Sequence, residues 1–423
     1  MFEGPVRTVT ILEQSILSVY STGDHLSGRC STKETEFITE RDAQILIDNY
    51  PGDCQRSTKG LSLSQYCGII RLDSCILEIL PKVGFDKSPD PHDADMARRA
   101  LVMMLWNARR MEITRLQSVD QGRTQAPLLD IFIEAFLQSA LKVARRGLLT
   151  RYEGHSDPLP VVKGRIDVQT QVTRNFAAPH LLHCQYEDFT VDNPYNRVVL
   201  TTIVLCRKWI RRSETLRLWS EAHSRFASVS LISGMNKIDR LPMNRMTQYY
   251  RPVLIWCEWI LKSLSPSVAS GRFESPGLFF DMNKLFEEHV RMLETQCLGN
   301  EYRLISQGPT IALATTGLSD VFFLHPDITI WCIGEQGTTT SIKRIVDAKW
   351  KFVDPGKHDW GVAESDIYQM LAYAMRYGCD SVDLVYPRPC GMSPSAKPPV
   401  FRIVVPNHRD SKISVRVRLA PLT

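Results

Sequence analysis

The sequence predicts an α/β (α+β) protein whose last third is a mixed sheet flanked by helices, preceded by a mixed β and helical region. Three observations predict this. Between Asp281 and Tyr386 the apolar periodicity runs helix, three strands, helix, strand. Short alternating runs bounded by turn residues fill residues 1–90. Apolar residues at helical spacing then dominate the middle of the chain. A length of 423 residues exceeds what one core usually serves. Three domains are expected: a β-rich 1–125, a mainly helical 126–265 carrying an extended arm, and the sheet domain 266–423.

Val6 to Val19 gives short strands. Thr39 to Asp48 has helical spacing, with Thr39 as N-cap, Glu40 and Asp42 in the first turn and Pro51-Gly52 as the stop. Tyr66–Leu72 and Cys75–Leu80 form a hairpin through Asp73-Ser74. A polar break at 87–92 precedes a helix from Ala94 to Arg110, in which Met103 and Met104 read as core. Gln117 to Gln125 reads as a loop. Leu128 to Arg146 is an amphipathic helix closed by Arg145-Arg146-Gly147. Tyr152 to Val162 is extended and charged, leading to Lys163-Gly164-Arg165-Ile166-Asp167 and Asp192-Asn193-Pro194-Tyr195-Asn196-Arg197. Arg165 and Arg197 suit a phosphate or a structural ion pair, with the ion pair favoured. Val198–Arg212 and Gln248–Ser263 are helical, and 265–272 is a linker. Asp281 caps a helix to Glu294. Strands follow at Tyr302–Ser306, from near Leu318 to Leu324 and on to Ile333, and at Ile342–Lys351. A helix at Asp366–Tyr377 and a strand at Val382–Tyr386 come next, and strands at Val400–Val405 and Ile413–Leu419 complete the chain.

Composition narrows the function classes. A net charge of +5 permits a nucleic-acid partner without requiring one. Eleven cysteines are scattered singly with no Cys-x-x-Cys pair, which argues for reduced thiols over a disulfide framework or a zinc site. The N-terminus lacks the apolar region of a signal peptide, and the most apolar run, Val198 to Cys206, is too short to span a bilayer. A cytoplasmic location is expected. No Gly-x-x-x-x-Gly-Lys-Ser/Thr loop is present, so the chain is not expected to hydrolyse nucleotide by itself.

The chemistry concentrates in His325–Lys351. Two β-branched runs flank a Gly/Thr turn, and strand residues two apart share a face, so Asp347 and Lys349 project together. Antiparallel pairing returns Asp327 to the same end. Two carboxylates and an ammonium so placed call for a hard divalent cation, and Mg²⁺ takes one or two carboxylates plus phosphate and water. The triplet alone is weak, since about one Asp-x-Lys is expected by chance in a chain this long. A second one, Asp410-Ser411-Lys412, lies in a polar turn and reads as solvated. The residues by themselves leave two readings open, a metal site and an edge-strand ion pair.

With Asp327 as its Pro-Asp member and Asp347-Ala348-Lys349 as its Asp-x-Lys member, this element order resembles the PD-(D/E)xK nuclease superfamily. More narrowly, the chain is similar to the McrC family, the nuclease subunits of McrBC modification-dependent restriction systems. The resemblance is carried by Leu77–Gly84, Arg146–Leu148, Lys163–Asp167, Tyr186–Asn193, Asn196-Arg197, Asp281–Glu287 and Tyr368–Tyr373. It implies a C-terminal endonuclease using Mg²⁺, with Mn²⁺ as an accepted substitute, on double-stranded DNA at modified cytosines. Asp327, Asp347 and Glu287 would hold the metal, Lys349 would position water, and Gln369 would support the lysine or contact DNA. The remainder of the chain would dock on a McrB-like AAA+ GTPase hexamer and stimulate its GTP hydrolysis. Two alternatives stand beside it: a silent GTPase-activating scaffold, and a standalone nuclease.

Overall fold

The computed structural model describes residues 7–20, 37–49, 54–57, 60–63, 65–84, 91–109, 128–174, 178, 180–232, 241–264, 277–317, 319–334, 338–393, 395–404 and 412–422. The expected loop at 117–125, the linker at 265–272, Leu318, and Asp410 with Ser411 lie outside them. Contacts group the chain into two compact units, where the sequence suggested three consecutive domains. The first joins residues 1–111 and 121–125 to 273–423, and the second holds 112–120 and 126–272. The second unit ends at Arg272, and the C-terminal sheet shares its unit with the N-terminal strands.

The reason is a strand that sequence patterning passed over. Gly277–Asp281 pairs antiparallel with Tyr66–Arg71, extending a four-stranded sheet that also holds Cys75–Leu80 and Arg7–Leu12. Cys75–Leu80 is buried along its whole length, as a strand covered on both faces must be. A second four-stranded sheet packs with the helix Glu40–Asn49 on a shared core of Leu17, Ile38, Leu46, Leu61 and Leu77. Thr39 does cap that helix, its hydroxyl accepting from the Asp42 N–H at 3.1 Å.

The C-terminal part of this unit is a six-stranded mixed sheet. Its order is Tyr302–Ser306, Ile328–Ile333, Thr339–Ala348, Ser381–Pro387, Lys412–Ala420, Val400–Val404. The two strands at the heart of the prediction pair antiparallel, and Thr339–Ala348 then pairs parallel with Ser381–Pro387 across the helix Glu364–Tyr377. Ile345, Val382, Leu384, Met370, Tyr373 and Ala374 share one core, which puts that helix on the face carrying Ile345 and Asp347. The helix Met282–Cys297 also packs against Thr339–Ala348. One expectation is corrected: Ser319–Leu324 does not run on to Ile333. It forms a separate two-stranded hairpin with Ile311–Thr316, and Pro326-Asp327 breaks the chain before Ile328. Proline lacks the N–H needed to continue a ladder.

The second unit packs the helices Leu128–Arg146, Pro194–Cys206, Ser213–Arg225 and Arg251–Leu264, with Phe132 against Trp256 at 5.9 Å. The expected helix from Val198 starts four residues earlier, at Pro194, and gives way to a 3₁₀ turn at Arg207–Trp209. Ser213–Arg225 and the short helix Val168–Arg174 were not foreseen. The charged extended segment forms a three-stranded sheet from Arg151–Leu159, Leu182–Thr190 and Arg165–Ile166. Gly164 adopts φ +70, and a Cβ there would stand 2.4 Å from the Gln185 carbonyl. Only glycine fits that crossing. Arg197 pairs with Asp192 at 2.8 Å, the ion-pair reading, while Arg165 is exposed. No helix among the described residues is long and apolar enough to cross a membrane. No disulfide joins the described cysteines, among them Cys67, Cys184 and Cys257.

Candidate active site

Asp347 occupies the penultimate position of Thr339–Ala348, only 1% exposed. Lys349 follows the strand end, its N–H donating to the Val385 carbonyl at 2.9 Å, so the sheet still fixes its backbone. The Lys349 Nζ lies 2.7 Å from Asp347 Oδ2 and donates to Gln369 Oε1 at 2.9 Å. Gln369 Nε2 donates to the Tyr373 hydroxyl at 2.8 Å, and that hydroxyl donates to the His325 carbonyl at 2.9 Å. Tyr373 follows Gln369 by one helical turn, so both project toward the lysine. Sequence reasoning assigned Tyr373 no role, although the four-residue spacing from Gln369 was the available signal.

Asp327 sits just ahead of Ile328–Ile333, and its Oδ2 accepts from the Ala348 N–H at 2.8 Å. That bond ties the first strand's entry to the backbone between Asp347 and Lys349. Glu287 comes from the helix Met282–Cys297, whose N-cap Asp281 accepts from the Asn283 and Lys284 N–H groups. Glu287 and Asp327 line one cavity of about 550 Å³ with Lys284, Gln307, Thr310 and His325. The structure thus brings Asp327, Asp347, Lys349 and Gln369 together at one sheet end, with Glu287 on the cavity wall beside Asp327.

The electrostatics are those of crowded acids. Burial, then the charges of Asp347 and Glu287, push Asp327 up to about 8. Burial likewise raises Asp347, although Lys349 beside it pulls the other way. Glu287 is raised by burial and by Asp347. Burial works against the charge on Lys349, but Asp347 and Asp327 more than offset it and hold the amine above its ordinary range. Asp347 Oδ2 is buried without a directed hydrogen bond despite the nearby amine, so a lone pair remains unclaimed. Among the described residues no three His, Cys, Asp or Glu side chains stand close enough to cage a metal on their own. A hard cation that takes one or two carboxylates and fills its shell with water and phosphate fits Asp327 and Asp347. It would offset the burial that raises both and the charge of Asp347 that raises Asp327 further.

A family model described as McrBC 5-methylcytosine restriction system component matches residues 61–387, spanning both units. The chain belongs to this McrBC family. Over 181 residues it is 26% identical to the type IV methyl-directed restriction enzyme EcoKMcrBC of Escherichia coli (strain K12), covering 40% of this chain and 49% of the relative. The chain spans about half the length of that curated McrBC relative. Its fold resembles one in a refined half-complex from the tetradecameric assembly of Thermococcus gammatolerans McrB AAA+ hexamers with bound McrC. That match has a TM-score of 0.66 at 16% identity, over 98% of this chain and 94% of the other. A cryo-EM structure of the Thermococcus gammatolerans McrBC complex matches at TM-score 0.48 and 19% identity, over 69% of this chain and 88% of that one.

Proposed function

We propose that this McrBC-family chain is a Mg²⁺-dependent endonuclease subunit of the PD-(D/E)xK type. It cleaves methylated double-stranded DNA when coupled to an AAA+ GTPase hexamer, whose GTP hydrolysis it stimulates. The observation that carries the reading is the convergence of Asp327 and Lys349 on buried Asp347 at the end of two paired strands, beside a cavity. Asp327 and Asp347 would hold the metal, with Glu287 as a further acid on the cavity wall. The bound metal supplies Lewis-acid stabilisation of the phosphate and a water of lowered pKa. Lys349, kept charged by the aspartates and held by Gln369, would orient an attacking water and steady charge developing on the phosphate. Family membership and the restriction-enzyme relative support the substrate class, and the fold shared with a chain of a McrB–McrC assembly supports the partner. The three-stranded sheet at 151–190, which exposes Tyr152 and Phe189, is a docking surface on this reading.

The reading is tested by incubating the chain with methylated or unmethylated DNA, with and without Mg²⁺, the GTPase partner and GTP. Cleavage confined to methylated DNA with all components present is expected. Stimulation of GTP hydrolysis with no cleavage under any condition would instead favour a silent scaffold. Cleavage without the partner would favour a standalone nuclease.

A further inference from the structure

The N-terminal sheet reaches the proposed catalytic lysine through one buried acid. Glu13, in the turn after Arg7–Leu12, is 2% exposed. Its two carboxylate oxygens accept from the Trp350 indole N–H at 2.9 and 3.1 Å, and Oε1 also accepts from the Lys82 N–H at 3.0 Å. Its own N–H donates to the Leu80 carbonyl at 2.8 Å, which fixes the turn to the neighbouring strand. The Cys67 thiol contacts Oε2 at 3.9 Å. Trp350 directly follows Lys349. Its ring packs on Phe286 at 5.4 Å and on Phe352 at 5.9 Å, and Phe286 adjoins Glu287. One indole therefore meets the N-terminal sheet, the helix bearing Glu287 and the segment bearing Lys349.

We infer that Glu13 is a positioning residue for the nuclease centre, holding Trp350 and through it the backbone that presents Lys349. This rests on the endonuclease reading above. Beyond the Lys349–Val385 bond the chain leaves the sheet, and Lys351 N–H turns back onto the Lys349 carbonyl at 2.8 Å. The Trp350 ring is the next anchor past that point. A lysine side chain has four rotatable carbons, so its amine stays near Asp347 and Gln369 only while its Cα is held. Misplacing a reacting group by about 1 Å costs on the order of 10²-fold in rate. A carboxylate buried merely to fill space would be a poor choice, because an apolar residue avoids its desolvation cost.

The test uses the full chain with its partner, methylated DNA and Mg²⁺, comparing wild type with W350F, E13L, E13Q and the double variant E13L/W350F. Phenylalanine keeps a ring against Phe286 and removes only the indole N–H. Glutamine keeps the shape and an acceptor oxygen. The expected result is a fall in kcat of about 10-fold or more in W350F and E13L, with KM for DNA and stimulation of the GTPase unchanged. E13Q should recover to within about 3-fold, and the double variant should be no worse than W350F, as for two residues acting through one bond. If E13L does not fold, W350F and E13Q decide. Wild-type kcat in W350F, or a defect confined to KM, overturns the inference while leaving the endonuclease reading intact. A wild-type chain that never cuts overturns both.

Discussion

Asp327, Asp347 and Glu287 are each harder to ionise than an ordinary carboxylic acid; burial is the main cause for all three, with the charge of Asp347 raising Asp327 and Glu287 further and that of Asp366 raising Asp347. In the metal-free protein this is a cost of folding at neutral pH. Asp327 is pushed up to about 8 from 3.8, so between those values the folded state binds more protons than the unfolded one. Stability contributed by this site is full below the lower value and is lost as pH rises through the upper one. In chelator, wild-type Tm should therefore fall between about pH 4 and 8 more steeply than that of Asp327→Asn. At pH 8, Mg²⁺ should raise Tm in wild type and much less in D327N or D347N. Parallel wild-type and D327N profiles would show that the acids do not interact as described.

At the scale of elements, the stretch Asp192–Arg197 holds the second unit together. Asn193 caps the helix Pro194–Cys206, its Oδ1 accepting from the Asn196 N–H, and donates to the Leu149 carbonyl at 2.7 Å. Asn196 donates to the same carbonyl at 3.0 Å and accepts from the Tyr250 hydroxyl, which itself accepts from the Leu149 N–H at 2.9 Å. Both asparagines are fully buried. Asn193→Ala would remove the cap, leave the buried Asn196 N–H without its acceptor and take one of two amide donors from the Leu149 carbonyl, costing about 1–3 kcal/mol. Denaturant unfolding checks this, and a loss well under 1 kcal/mol would mean that water replaces the amide. The same arithmetic explains why Asn-Pro-Tyr-Asn-Arg reads as a motif. It is architecture, and Arg197 belongs to it through Asp192 rather than to a phosphate site.

Across the whole molecule, what the sequence revealed depended on how local the signal was. The Ile328–Ile333 and Thr339–Ala348 pair was legible because β-branched residues alternate on both sides of a Gly/Thr turn, and the turn dictates which ends meet. That is why Asp327, Asp347 and Lys349 could be named together. Gln369 came from the resemblance, and the amine it touches explains its place. The pairing of Gly277–Asp281 with Tyr66–Arg71 joins segments about 200 residues apart, and no periodicity encodes such a partner. The Glu13–Trp350 bond, spanning 337 positions, was hidden for the same reason. The contact grouping departs from three consecutive segments for the same reason: a strand from residues 277–281 completes a sheet begun before residue 81, so N- and C-terminal segments share one unit.

The central claim is that Asp347, Asp327 and Lys349 form a working phosphodiesterase centre in a protein that also drives its partner's GTPase. Asp347→Ala in the reconstituted complex, with methylated DNA, Mg²⁺ and GTP, tests both halves in one assay. Cleavage should fall below detection while GTP hydrolysis by the partner proceeds at the wild-type rate. Continued DNA cleavage by D347A would contradict the account.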